Sequence, residues 1–289
     1  MGLIGLGNMG SAFAERLLDA EFDVAVYNRT PSRAEPLAER GAAVAESASD
    51  LAAGAEVVLT SLADDAAFES VADAVIGAAR PGTTFVDAST VSPEASARVA
   101  ALAESAGIEY LRAPVSGNPG VVRAGNVTFI VSGPPTAVDR AEPVLRAIGS
   151  TIHVVGDAEQ ARVVKLAINL VIAGLAQLMA EALVLGERSG VSRESLLETM
   201  GDSAAGAPFV KYKTEPLLRD DYSATFTTNL MEKDLDLVLD AAVAANVRLP
   251  LAEEIKELVR GTIEAGYGDD DFMALFLHLR SASTQEVQR

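Results

Sequence analysis

"GLGNMG", Gly5 to Gly10, decides how the first half of this chain folds. It follows the short apolar stretch Leu3-Ile4 and runs into a helical pattern over residues 11–20. Each glycine of such a Gly-x-Gly-x-x-Gly loop has its own task. Gly5 allows the tight turn, Gly7 lets a pyrophosphate approach the backbone, and Gly10 lets helix and strand pack closely. With Leu6, Asn8 and Met9 between them, these residues form a candidate phosphate loop of a dinucleotide site. An ordinary Gly-rich turn is the competing reading, and the strand–loop–helix context weighs against it. Met1 stands only four residues before Gly5. The first strand is therefore very short, as if the natural start lay slightly upstream.

Outward from this loop, β-rich runs alternate with Ala-rich helical ones. The strand candidates are Leu3-Ile4, 24–27, 56–62, 83–89, 108–114, 127–133 and 151–156, with helical periodicity at 11–20, 32–40, 65–79, 93–106 and 136–148. Such alternation predicts an α/β Rossmann-type, doubly wound, mostly parallel sheet. After Gly156 the strand signal ends. Residues 158–189 read as one helix, on the order of 45 Å long at the α-helical rise. Helical segments follow at 192–200, 206–218, 229–245, 249–265 and 270–279, separated by Gly201, Pro208, Pro250 and Gly266. The expected organisation is a dinucleotide-binding domain over 1–157 and an all-α domain over 158–289, joined by the long interdomain helix 158–189.

The end of the second strand discriminates between cofactors. An NAD site places Asp or Glu there, about 20 residues past the glycines, to hold the ribose diol. This chain has "YNRTPSR", with Asn28, Arg29, Thr30 and Arg33 and no acid. Guanidinium and hydroxyl groups suit a 2′-phosphate that a carboxylate would repel. NADP is expected over NAD, which stays possible; a solvated Arg29 in a plain turn is the alternative. Leu62, closing the strand "EVVLTSL", is a further cofactor candidate on the same sheet edge.

Composition narrows the rest. The 289 residues are 49% hydrophobic and hold no cysteine, so disulfides, thiolate metal sites and a cysteine nucleophile are excluded. No basic leader opens the chain, and a cytoplasmic protein is expected. The net charge of −18 argues against nucleic acid or an anionic membrane as partner. A membrane span is not expected either: the longest uncharged run of the apolar helix, Leu166 to Ala180, contains Asn169 and Gln177. Two Asn-x-Thr patterns, at Asn28 and Asn126, read as chance matches. His153 and His278 are isolated, no metal site is expected, and Asp269-Asp270-Asp271 reads as a solvated helix start.

"VVKLAINL" (163–170) places an ammonium and an amide in one of the most apolar stretches of the chain. Lys165 and Asn169 lie one turn apart on one helical face, so both reach one small ligand. Burial would lower the lysine pKa toward a useful range. A lysine whose stem packs while its ammonium reaches water explains the residue equally well.

Further motifs then accumulate in order: "VDASTVSP" (86–93), "APVSGNPGVVRAGNVTFIVSG" (113–133), "VVKLAIN" (163–169) and "MEKDLDL" (231–237). Together with "GLIGLGNMG" and "VYNRT", they resemble the β-hydroxyacid dehydrogenase family, the 3-hydroxyisobutyrate dehydrogenase-like enzymes, over nearly the whole chain. The resemblance implies that Thr90 contacts the nicotinamide side of the cofactor; capping the helix near Pro93 is its alternative role. It implies that Ser116, Gly117 and Asn118 hold a substrate carboxylate, that Lys165 is the general acid/base, that Asn169 orients the substrate, and that Lys233 contacts the cofactor. A surface pair of Lys233 with Asp234 or Asp236 is the plain reading. The implied reaction passes hydride between nicotinamide and a small hydroxyacid or semialdehyde.

This chain departs from the family pattern at Arg112, where Asp is usual, and at Asn118, where a second Gly is usual. Ile168 stands where many members carry a further Asn; the glyoxylate/succinic semialdehyde reductases, the nearest subgroup in motif, keep only the later Asn, as this chain does at Asn169. Imine reductases share the "NRT" signature but usually lack the lysine. 6-Phosphogluconate dehydrogenase shares the Lys–Asn spacing but has a larger helical domain. A non-catalytic NADP-binding scaffold fits worst with Thr90, Ser116, Lys165 and Asn169 all present. Phe209, Tyr212 and Phe226 are candidate pocket walls, and a homodimer or homotetramer is expected from the apolar helices.

Overall fold

Strands of the sheet core are buried on both faces, which is why they read as continuous apolar runs instead of alternating ones. The computed structural model describes residues 1–286. Its first part runs β1 (Gly2–Ile4), α1 (Asn8–Asp19), β2 (Ala25–Tyr27), α2 (Glu35–Ala38), β3 (Ala43–Val44), α3 (Ala48–Gly54), β4 (Val57–Thr60), α4 (Asp65–Ala78), β5 (Thr84–Asp87) and α5 (Pro93–Ser105). β6 (Glu109–Arg112), β7 (Val115–Ser116), α6 (Pro119–Arg123), β8 (Thr128–Ser132), α7 (Pro135–Ile148) and β9 (Thr151–Gly156) complete it. The sheet order is β3-β2-β1-β4-β5-β6-β8-β7, with β9 paired to β8. From β3 to β6 every pairing is parallel, whereas β8 runs antiparallel to β6 and β7.

The doubly wound sheet expected from the alternation is therefore present. Its strand order reverses between β1 and β4, and ligands of open α/β sheets bind at the carboxyl ends of strands at such a switch point. One face packs Phe13, Leu17, Phe129 and Leu145, and the other packs Phe68, Val75, Phe85 and Tyr110.

Helices follow: α8 (Gln160–Arg188), α9 (Arg193–Asp202), α10 (Pro208–Leu218), α11 (Thr228–Ala244), α12 (Pro250–Thr262) and α13 (Leu275–Glu286). The chain divides into two compact units, Met1–Lys165 and the part from Leu166 onward, so the division falls inside α8. The second unit has its own core of Ala176, Leu183, Phe209, Leu235, Val259, Phe272 and Phe276. Among the described residues α8 is the one helix long and apolar enough to cross a membrane. Length and composition alone do not separate such a span from a core helix, and Ala173, Ala176, Ala180 and Leu183 of α8 are core residues.

Four short elements carry no periodic signal: β3 and β7 with two residues each, and α3 and α6 with seven and five. The segment 32–40 breaks into a 3-10 turn, Pro31–Arg33, and α2, because Pro36 lacks an N–H and starts a new helix. The acidic stretch 269–271 does start a helical turn, capped by Asp271, which accepts from Met273 N at 3.1 Å, and Asp269 is exposed; the expectation of a solvated start is corrected at Asp271 alone. Asp271 is buried and accepts from Lys213 Nζ at 2.6 and 2.7 Å. Burial lowers the Lys213 pKa and the carboxylate opposes that shift.

Candidate active site

The candidate phosphate loop has the tight turn and close packing that its glycines suggested. Gly5 holds φ +92°, and a β-carbon on it would meet the Ser61 carbonyl oxygen at 2.3 Å. A β-carbon on Gly10 would lie 1.8 Å from the Gly5 oxygen, so the loop and α1 interlock only without side chains there. At Gly7 nothing stands within 4 Å, which leaves one side of the loop open. Gly7 is also the N-cap of α1, with no side-chain cap and no acid in the first turn. A helix start of this kind presents N–H groups and partial positive charge to an anion. These residues fit a dinucleotide pyrophosphate.

Asn28 braces that loop: its Oδ1 accepts from Leu6 N at 2.9 Å and its Nδ2 donates to the Thr30 oxygen at 3.0 Å. Arg29, Thr30 and Arg33 follow β2 as exposed residues. Leu62 N donates to Ser89 Oγ at 2.8 Å, which joins the end of β4 to the loop carrying Thr90. The N-cap of α5 is Ser92, whose Oγ accepts from Ala95 N at 3.0 Å. Thr90, half-buried, is thus not the cap, and the capping alternative is set aside.

Ser116 lies on β7 opposite Thr128. Gly117 holds φ +145°, and a β-carbon there would press on Val121 and Val127 at 3.2 Å. Asn118 is the N-cap of α6: its Oδ1 accepts from Val121 N at 3.0 Å, which leaves the amide NH2 as the donor end of the side chain. Arg112 is turned into the sheet. Its Nε donates to Glu159 at 2.9 Å, and its guanidinium stands 4.5 Å from the Tyr110 ring centroid. Both departures from the family pattern thus have local structural partners.

Lys165 and Asn169 are half-buried on α8, one turn apart. Asn169 donates from Nδ2 to Asp234 Oδ2, and Lys233 Nζ lies 2.8 Å from Asp234 Oδ1. Asp234 is 1% exposed. Lys233 thus makes the pair with Asp234 that was its plain reading, but with a buried carboxylate that also accepts from Asn169. The signal for it was available: Met231, Asp234, Leu235, Val238 and Ala242 make the buried row of α11, with an acid in it. Of the candidate pocket walls, Phe209 is a core residue packed on Phe272, Tyr212 is exposed and Phe226 is half-buried against Phe272.

A second buried polar cluster went unnoticed in the sequence. Arg162, 1% exposed, donates to Asp87 Oδ2 (2.6 Å), Tyr110 Oη (2.7 Å), the Ser89 carbonyl oxygen (2.7 Å) and Ser96 Oγ (3.2 Å). Asp87 Oδ1 also accepts from Thr60 Oγ1 at 2.5 Å and Ser89 Oγ at 2.6 Å. Burial opposes the Arg162 charge, yet Tyr110 and Asp87 hold its pKa above the usual guanidinium range. Burial pushes the Tyr110 hydroxyl up to about 12, against the lowering effect of Arg162. Among the described residues no group of three or more acidic or histidine side chains is placed to hold a metal ion.

Residues 1–156 match the family described as the NAD binding domain of 6-phosphogluconate dehydrogenase, and residues 160–279 the one described as NAD-binding of NADP-dependent 3-hydroxyisobutyrate dehydrogenase. The 2-(hydroxymethyl)glutarate dehydrogenase of Eubacterium barkeri is 32% identical over 95% of this chain and 93% of its own length. A solved Mycobacterium tuberculosis 3-hydroxyisobutyrate dehydrogenase with L-serine superposes with a TM-score of 0.87 at 34% identity, covering 96% of this chain and 98% of its own. A solved imine reductase from a Pseudomonas species gives 0.61 at 26% identity, over 96% and 98% of the two chains.

Proposed function

The chain belongs to the β-hydroxyacid dehydrogenase family, oxidoreductases with a nicotinamide-dinucleotide site, and from that premise we propose that it interconverts a small hydroxyacid and its aldehyde or keto acid with NADP. The observation that carries this reading is the buried Asp234, which holds Asn169 and Lys233 together while Lys165 stands one turn from Asn169 on α8. Gly5 to Gly10 would take the pyrophosphate on the start of α1, and Arg29, Thr30 and Arg33 the 2′-phosphate. Bound there, the nicotinamide supplies or removes the hydride.

The protein's own contribution is to place and protonate the substrate. Lys165 gives its proton to the carbonyl oxygen as that oxygen becomes a hydroxyl, and takes it back in the oxidative direction. Asn169 directs a substrate oxygen, its orientation set by the hydrogen bond it donates to Asp234. Ser116, Gly117 and the Asn118 amide hold the substrate carboxylate, and Thr90 and Lys233 bind on the nicotinamide side. On this reading residues 1–157 are the NADP-binding domain and 158–289 the substrate and dimerisation domain. Glyoxylate and the succinic, methylmalonic and tartronic semialdehydes are the substrate candidates. The protein works in the cytoplasm as a homodimer or homotetramer. Val171, Leu178 and Leu185 support that assembly as an exposed apolar row on α8, and light scattering would report a mass above one chain. An imine reductase is the second reading; Lys165 and the poorer superposition weigh against it.

The deciding experiment follows nicotinamide absorbance with NADPH and NADH against those acids and against cyclic imines, with Lys165→Ala alongside. The expected result is NADPH-preferring turnover of an acid, falling on the order of 10²–10⁴-fold in the variant while NADPH still binds. Full activity in Lys165→Ala, or turnover of imines alone, would overturn the proposal.

A further inference from the structure

We propose that Arg162 is a positioning residue for this reaction, holding the Thr90 loop and the Lys165 turn of α8 in one fixed relation. The inference rests on the reading of Lys165 as the acid/base. A buried guanidinium is costly, and well-packed apolar side chains often stabilise a protein as much as a buried ion pair does. Stability alone therefore does not account for an arginine here. What arginine adds is a planar fork of donors that one side chain can spread over several elements.

Arg162 uses that fork on three. Nη1 donates to the carbonyl oxygen of Ser89, the residue bonded to Thr90. Nη2 donates to Asp87 at the end of β5 and to Tyr110 on β6, and Nε to Ser96 on α5. Ser89 is held from its side chain as well, donating to Asp87 and accepting from Leu62 N. The backbone that enters Thr90 is thus fixed from both its carbonyl and its neighbouring hydroxyl. At the other end of the link, Arg162 precedes Lys165 by three residues, about 4.5 Å along the helix axis. Arg112 adds a second tie close by, to Glu159 just before α8 begins. A rotation or slide of this turn would move Lys165 and break the bonds to the Thr90 loop together.

Arg162→Lys and Tyr110→Phe test this, with wild type and Lys165→Ala as references. Arg162→Lys keeps the charge beside Asp87 but loses the fork; Tyr110→Phe removes one acceptor and leaves the arginine. Melting temperature, NADPH affinity by fluorescence, KM and the single-turnover rate of hydride transfer are read for each. Arg162→Lys is expected to slow hydride transfer on the order of 10²-fold, the effect of a small misplacement of reacting groups. KM and NADPH affinity should stay near wild type. Tyr110→Phe should show the same split with a smaller fall, and it decides the question if Arg162→Lys does not fold. Variants that melt earlier but transfer hydride at the wild-type rate overturn the inference, as does a rise in KM with the rate unchanged. If Lys165→Ala keeps the wild-type rate, the acid/base reading fails and the inference with it. Loss in Lys165→Ala beside wild-type rates in the network variants sinks the inference alone.

Discussion

Arg29 stands where a carboxylate would hold the ribose diol of NAD, exposed just beyond β2. On the NADP reading proposed above, its guanidinium is the group on which cofactor choice would turn. Arg29→Ala is expected to weaken NADPH binding about 10-fold, the loss of one charge-assisted hydrogen bond near solvent, and to leave NADH almost unchanged. Paired fluorescence titrations check this, and equal weakening of both cofactors would show that Arg29 does not read the 2′-phosphate. At this scale the sequence displays which groups are present but not what each is spent on. Asn28 and Asn118 both looked like ligand donors. Their carbonyl oxygens are engaged by backbone, one across 22 residues at Leu6 and one three residues away at Val121. The second is a helix cap and was open to reading from "SGNPG"; the first depends on how β1 and β2 pair.

Long elements announced themselves through periodicity, and α11 shows the limit of that signal. Its helix was expected over 229–245 and is found at Thr228–Ala244, but the acid in its buried row was not read from the pattern. From the sequence Asp234 figures only as a surface partner of Lys233, because an acid inside an apolar row has no interpretation until its partner is known. The partner lies 65 residues away on α8. Replacing Asp234 with Ala leaves the Asn169 amide and the Lys233 ammonium without that carboxylate. A loss on the order of 1–3 kcal/mol is expected, the cost of removing a buried charged acceptor from its hydrogen bond, read as a lower urea midpoint. Turnover should fall further than stability, since Asn169 is no longer held. Asp234→Asn keeps the size and one acceptor and should recover part of both. A midpoint unchanged in the alanine variant would mean that solvent replaces the carboxylate, and α11 would then have no claim on the site.

Fold class was legible because it is spread over the whole molecule: alternating strands and helices up to Gly156, then helices alone. Long-range charge pairs were not. Arg162–Asp87, Arg112–Glu159 and Lys213–Asp271 join residues 75, 47 and 58 positions apart. No local pattern encodes them; the first two tie the start of α8 to the ends of β5 and β6. These buried groups also set how stability responds to alkali. Unfolded, the Tyr110 hydroxyl titrates near 10; folded, burial moves it up to about 12. Below pH 10 both states keep the proton and the group adds no pH dependence. Between about 10 and 12 the folded state binds more protons than the unfolded one, so stability falls as pH rises. Tyr222, also pushed up to about 12 by burial, acts in the same direction. Lys213, lowered by burial, acts in the opposite one. The Tyr110 share therefore emerges only by difference. Urea denaturation of wild type and Tyr110→Phe across pH 9 to 12 should show the variant less stable at pH 9 but less sensitive to alkali. The gap between them should close by up to about 2–3 kcal/mol, on the order of two pKa units. Parallel curves would mean that the Tyr110 hydroxyl does not keep its proton in the folded protein through this range, and that its bond to Arg162 does not govern the alkaline limb.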